Sequence, residues 1–204
     1  MPSYYSIFPR GVFFFIMLWA GWAGPGSLLA ETSVDWDSMR AAYARYSKDP
    51  SEENAMKAAS YLPKDLGYAA PPSSRRNHLE TEKYILKNLG SLESQIFRGK
   101  VNSTNLAFRF YTVADGELAE SLDILLGKLI CRNPRLFLRT LKANRRLVPR
   151  LDALLMNYGS DYTDKDEAQA SEFRRRLRCL RKVRDRELQE IRDECVEFME
   201  MNPQ

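Results

Sequence analysis

The segment DGELAESLDILLGKLICRN, Asp115 to Asn133, constrains the chain more than any other. Leu118, Leu122, Leu125 and Leu129 recur at the spacing of one α-helical face, and Ala119, Leu126 and Ile130 add a second apolar row beside it. A helix apolar over so wide a face has to be covered on several sides, which places it at the centre of a helical fold. Asn133 and Pro134 end it. Pro134 also opens the next helix, because a first turn makes no use of the missing N–H.

The rest of the chain carries the same period. Trp36, Met39, Tyr43 and Tyr46 predict a helix over Val34–Tyr46. Ser51 then caps a second, with Glu52 and Glu53 in a first turn whose dipole favours them, and with Ala55, Met56, Ala59 and Leu62 inside. Trp36, Met39, Tyr43 and Ala59 stand at the spacing of one tetratricopeptide repeat, which this hairpin resembles. Pro63 comes one residue early for that repeat, and Glu52 stands where it carries a small residue.

Proline and serine mark Leu62–Glu80 as the main loop. The expected organisation is a hairpin at 31–63, a Pro/Ser-rich loop at 64–78 and a main helical domain at 79–204. The next helix carries Tyr84, Ile85, Leu89, Leu92 and Ile96, with a bend expected at Gly90. NLAFRFYTV, Asn105 to Val113, alternates like a strand, but no second strand exists to pair with it, so it is assigned to a helix. LFLRTLKANRR and LVPRLDALLMNYG give two shorter helices. The expected fold is all-α: an irregular helical bundle or a short solenoid-like array of helical hairpins with a long C-terminal helix.

Residues 1–30 hold a single charge, Arg10, followed by the apolar run Gly11–Gly24 and then Pro25 and Gly26. That layout is expected of an export signal peptide, giving a periplasmic or secreted protein. The alternative is an uncleaved membrane anchor over residues 11–30, which the Pro-Gly pair interrupts. Without the first thirty residues the chain keeps 30 basic and 27 acidic residues, so net charge alone implies no affinity for polyanions.

Export makes disulfides persistent, and the chain has three cysteines, Cys131, Cys179 and Cys195. Asp166–Met201 contains no Gly or Pro and is expected to form one long helix. Phe173, Leu177, Leu180, Leu188, Ile191, Cys195 and Phe198 then share a packing face. On a continuous helix Cys179 and Cys195 lie about 24 Å apart, far beyond disulfide reach. Any intrachain bond must therefore use Cys131, joined to Cys179 or to Cys195; the alternative is that some or all three serve simply as small apolar residues.

The charges of this helix are segregated. Ser171–Arg186 is strongly basic and Glu187–Glu200 strongly acidic, the reverse of what the helix dipole prefers. Arg174, Arg175, Arg176, Arg178, Arg181 and Lys182 form the candidate interaction surface. Two copies laid antiparallel would set each basic half against an acidic half, so the expected partners are a second copy or another protein docked through this segment.

The same residues motivate an alternative, a binder of anionic envelope polymers or lipid headgroups. Membrane contact is otherwise expected only if the N-terminal segment is uncleaved. Nucleic acid is not an expected partner of an exported chain without interleaved aromatics.

Catalytic motifs are missing: there is no phosphate loop, nucleophile elbow or zinc-helix pattern, and no cofactor or metal is expected. His78, the single histidine, is expected at the surface. Asp115, Glu117, Glu120 and Asp123 could supply the two carboxyls of a hydrolase, but read more simply as a helix cap and the wet side of the leucine-striped helix. Asp161–Glu167 lacks the Gly and final Glu of a calcium loop. Asn102-Ser103-Thr104 matches a glycosylation sequon. The expected function is a noncatalytic, exported protein-interaction or structural module of the cell envelope.

Overall fold

The computed structural model describes residues 34–202; the export signal expected at 1–30, and its alternative as an anchor over 11–30, lie outside them. Every regular element among the described residues is helical: α1 (Trp36–Lys48), α2 (Glu52–Ser60), α3 (Arg75–Lys87), α4 (Leu89–Phe97), α5 (Val101–Phe110), α6 (Gly116–Arg132), α7 (Pro134–Asn144), α8 (Leu151–Met156), α9 (Asp166–Arg181) and α10 (Gln189–Met201). None of these helices is long and apolar enough to cross a membrane.

Local chemistry sets several starts. The Asp35 carboxylate accepts from the Ser38 N–H at 3.0 Å, and the Asn133 side chain accepts from the Leu136 N–H at 3.1 Å, with Pro134 at the first position of α7. These bonds satisfy amides that the first turn of a helix leaves unpaired.

α6 occupies the centre. Its leucine stripe and second row are buried at Leu118, Leu122, Leu125, Leu126, Leu129 and Ile130, and it touches α3, α4, α5, α7, α8 and α9. Each fully buried leucine contributes about 2 kcal/mol, so this helix carries much of the core. α1 buries Trp36, Met39, Tyr43 and Tyr46 and packs on α2 and α3, and α2 lies along α5. Tyr43 meets Phe110 edge-on at 5.3 Å between ring centres, and the Tyr46 hydroxyl donates to Ser103 Oγ at 2.9 Å. Asn105–Val113 lies on α5 and the turn after it, and Ser103 and Thr104 of the sequon are buried inside that helix.

Four expectations are corrected. α3 starts at Arg75, within the segment expected to be loop, and the bend falls at Asn88, whose N–H reaches back to the Tyr84 and Ile85 carbonyls, rather than at Gly90. His78 is half-buried: its Nε2 lies 2.7 Å from the Val113 carbonyl and its ring stacks on Trp36 at 4.7 Å.

The fourth concerns the long C-terminal helix, which breaks into α9 and α10 across Lys182–Leu188. No sequence breaker is needed, because the break is bought by packing. A straight rod of 36 residues would extend about 54 Å and carry half of its apolar stripe away from the core. Breaking it turns Leu180, Val183, Leu188, Ile191, Cys195 and Met199 inward together. Arg135 pairs with Asp185 at 2.9 Å, Lys142 donates to the Glu187 carbonyl at 2.7 Å, and Arg192 donates to the Val183 carbonyl at 2.8 Å, holding the connection in place.

α9 is fixed by a buried cation. Arg176 is 1% exposed; its guanidinium donates to Glu172 at 3.1 Å, to the Leu155 carbonyl at 2.9 Å and to the Asn157 carbonyl at 3.2 Å, and lies 4.6 Å over the Tyr158 ring. On α6 the space it fills is opened by Gly127, where a Cβ would stand 2.6 Å from the guanidinium. A bond between Cys131 and Cys179, with Cα atoms 5.3 Å apart, joins α6 to α9 a second time.

Gly127→Ala is expected to destabilise the protein by about 2 kcal/mol, although alanine is favoured by roughly 1 kcal/mol in an unobstructed helix. In an Arg176→Met background the same change should be close to neutral, and urea unfolding of the four proteins measures both numbers. Replacing Cys131 and Cys179 together by serine should cost roughly 2 to 4 kcal/mol, given their separation of 48 in the sequence.

Candidate functional site

Two regions combine chemistry with accessibility: the outer face of α9 and α10, and a cleft between α6 and α8.

The six basic residues expected to form an interaction surface divide by environment. Arg176 is removed from that surface, since its hydrogen bonds point inward and its head group is buried. Arg175 is clasped by both oxygens of the buried Glu172, and Arg181 pairs with Glu200 of α10. Burial alone would raise the Glu172 carboxyl, but its hydrogen bonds from Arg175 and Arg176 outweigh that and hold it below the ordinary range. Arg174, Arg178 and Lys182 remain exposed and form no ion pair among the described residues. Four residues apart on α9 and its cap, they advance about 40° at each step and make one row about 12 Å long. Glu190, Asp193 and Glu197 form a matching exposed row on α10, where Asp193 also pairs with Arg192 at 2.6 Å. The two charge poles belong to two helices, and Arg181–Glu200 joins them within one chain.

The cleft encloses about 660 Å³ between Tyr111 after α5, the first two turns of α6, Pro149 and Arg150 ahead of α8, and α8 itself. Asp115, Glu120 and Asp123 line it from α6 and its cap, whereas Glu117 does not. Asp123 was expected on the wet side of α6 and is instead 8% exposed. Its Oδ1 accepts from the Tyr111 hydroxyl at 2.6 Å, and no donor among the described residues bonds its other oxygen.

Burial pushes the Asp123 carboxyl up to about 6, against the opposing hydrogen bond from Tyr111 and the charge of Arg150. Across the cleft, the hydrogen bond from Arg150, 2.6 Å away, holds Asp152 below the ordinary range. The cleft thus presents one carboxyl that binds a proton near neutral pH and one that stays ionised, a combination suited to proton exchange or to cation binding. No group of three His, Cys, Asp or Glu side chains among the described residues is placed to hold a metal ion.

Arg176 supports the back of this cleft, because two of its acceptors, the Leu155 and Asn157 carbonyls, are at the end of α8. Cys195 is a buried free thiol, pushed up to about 12 by its burial, and lies in neither region.

No protein-family model, curated protein or solved structure matches the chain, so the resemblance of α1 and α2 to a tetratricopeptide repeat extends no further than the residues that carry it.

The buried carboxyl had a sequence signal. Asp123 fills the vacant place in the second apolar row, between Ala119 and Leu126, so it stands where a core residue belongs.

The raised Asp123 carboxyl ties stability to pH. The folded chain holds its proton more tightly than the unfolded chain does, so the stability this gives is present below about pH 4 and is lost as pH rises through about 6. Asp123→Asn, which keeps an acceptor for Tyr111, should therefore be more stable than the parent at pH 7.5 by on the order of 1 kcal/mol. That difference should shrink towards pH 4, as followed by thermal unfolding of both proteins across the range.

Proposed function

We propose that this chain is an exported, noncatalytic helical interaction module that associates with a second copy of itself through the outer face of α9 and α10. The observation that carries the reading is the pair of charged rows: Arg174, Arg178 and Lys182 on one helix, Glu190, Asp193 and Glu197 on the next. A chain that carries one exposed row of each sign can be self-complementary under a twofold axis that sets the basic row of each copy on the acidic row of the other. The mounting is rigid, since Arg176 and the Cys131–Cys179 bond fix α9 to the core. A rigid surface binds with less ordering cost than a mobile one.

Sedimentation equilibrium of the protein lacking residues 1–30 tests this. A dimer is expected at about 50 mM salt that dissociates towards 500 mM, as screening weakens exposed pairs. Reversing the basic row with Arg174→Glu, Arg178→Glu and Lys182→Glu should abolish it. Mixing that variant with one carrying Glu190→Lys and Glu197→Lys should restore a mixed dimer. A monomer at every salt concentration, or a dimer indifferent to the reversal, overturns the proposal. If that monomer cosediments with anionic vesicles through the same three residues, the surface belongs to a binder of anionic polymers or headgroups instead.

A further inference from the structure

We infer that the cleft between α6 and α8 is a binding site for a small aliphatic ammonium ligand, with Asp123 as its anionic anchor. The inference is independent of the α9–α10 association, since no residue of those charged rows lines the cleft.

The shape and the chemistry of the walls select the ligand class. The volume of about 660 Å³ lies within the range of small-molecule sites. Asp115, Glu120 and Asp123 face the space without ion pairs among the described residues, while Asp152 is tied to Arg150 at 2.6 Å, leaving an excess of negative charge. An anion is therefore disfavoured. A metal ion is disfavoured too, because the carboxylates line the cleft without converging on one point. An organic cation needs no such convergence: it can set one ammonium against Asp123 and reach a second carboxylate at the rim.

Asp123 is suited to that role by its two oxygens. The Tyr111 hydroxyl occupies one at 2.6 Å and fixes the carboxyl, and the other has no donor among the described residues and opens on the cleft that Asp123 lines. An oxygen that opens on the cleft and has no protein donor can be reached by a ligand, and an ammonium group supplies both a donor and the countercharge. Ala119, Ala153 and Met156 give the walls apolar patches on which a short methylene chain can lie.

Tyr111, Glu120, Arg150 and Asp152 are the titratable and charged groups that act on Asp123 from the elements around it. Protonation of Asp123 removes its charge, so acid should compete with the ligand.

Calorimetric titration of the disulfide-bonded protein with 1,4-diaminobutane at pH 7.5 and low salt tests the site, with a short peptide containing one internal lysine as a second arm. Saturable binding of the diamine is expected, weakened at least tenfold by Asp123→Asn and about threefold by the exposed Glu120→Gln, and weakened about tenfold at pH 5. Near-ultraviolet circular dichroism of each variant confirms that its fold is kept. Tighter binding of the peptide, with the same dependence on Asp123, keeps the ammonium site and assigns it to a protein lysine instead of a free amine. Absence of binding in both arms, or affinity that is unchanged by Asp123→Asn, overturns the inference.

Discussion

A single guanidinium, that of Arg176, sits where α6, α8 and α9 meet, and the arrangement of all three depends on it. Its charge is satisfied by Glu172 from its own helix and by two carbonyls at the end of α8, and Gly127 on α6 leaves it room. Buried cations are tolerated only when their donors find partners, so the groups around Arg176 constrain one another. Replacing the glycine closes the space, and replacing Glu172 leaves a cation without its countercharge. The same guanidinium braces the wall of the acidic cleft, so core and site share one fixed point.

The centre of the fold was legible in the sequence because its information is local. The leucine row of α6 repeats at the helical period, and caps such as Ser51 and Asn133 act within three residues. The break between α9 and α10 was not legible, because nothing in Lys182–Leu188 forbids a helix. Its cause lies in Arg135, Lys142 and the core, distant in sequence. The separation of Cys179 from Cys195 rests on an unbroken helix that the chain does not form, yet the bond observed, Cys131 to Cys179, is one of the two pairings it leaves, and Cys195 is buried on α10.

The candidate sites were legible only in outline. A run of arginines reads as a solvated face, and the period of an amphipathic helix cannot distinguish the one whose partners are carbonyls of another element. Removing Arg176, and the paired Arg175 and Arg181, turns a basic cluster encircling the helix into a single row. Asp123 shows the converse case. It occupies an apolar place in the α6 pattern, and a polar residue at such a place marks either a structural network or a binding function. The Tyr111 bond gives it the first, and the donor-free oxygen opens the second.

The bond between Cys131 and Cys179 closes a covalent ring that contains α7, α8 and nearly all of α9. The exposed turn at Thr163–Lys165 lies inside that ring. Turns of this kind are where proteases cut folded chains. A cut there would open the ring without dividing the molecule, since both new ends remain attached through the sulfur atoms. Arg176 would still hold α9 against α8, and the nicked chain would come apart only when both reduced and unfolded.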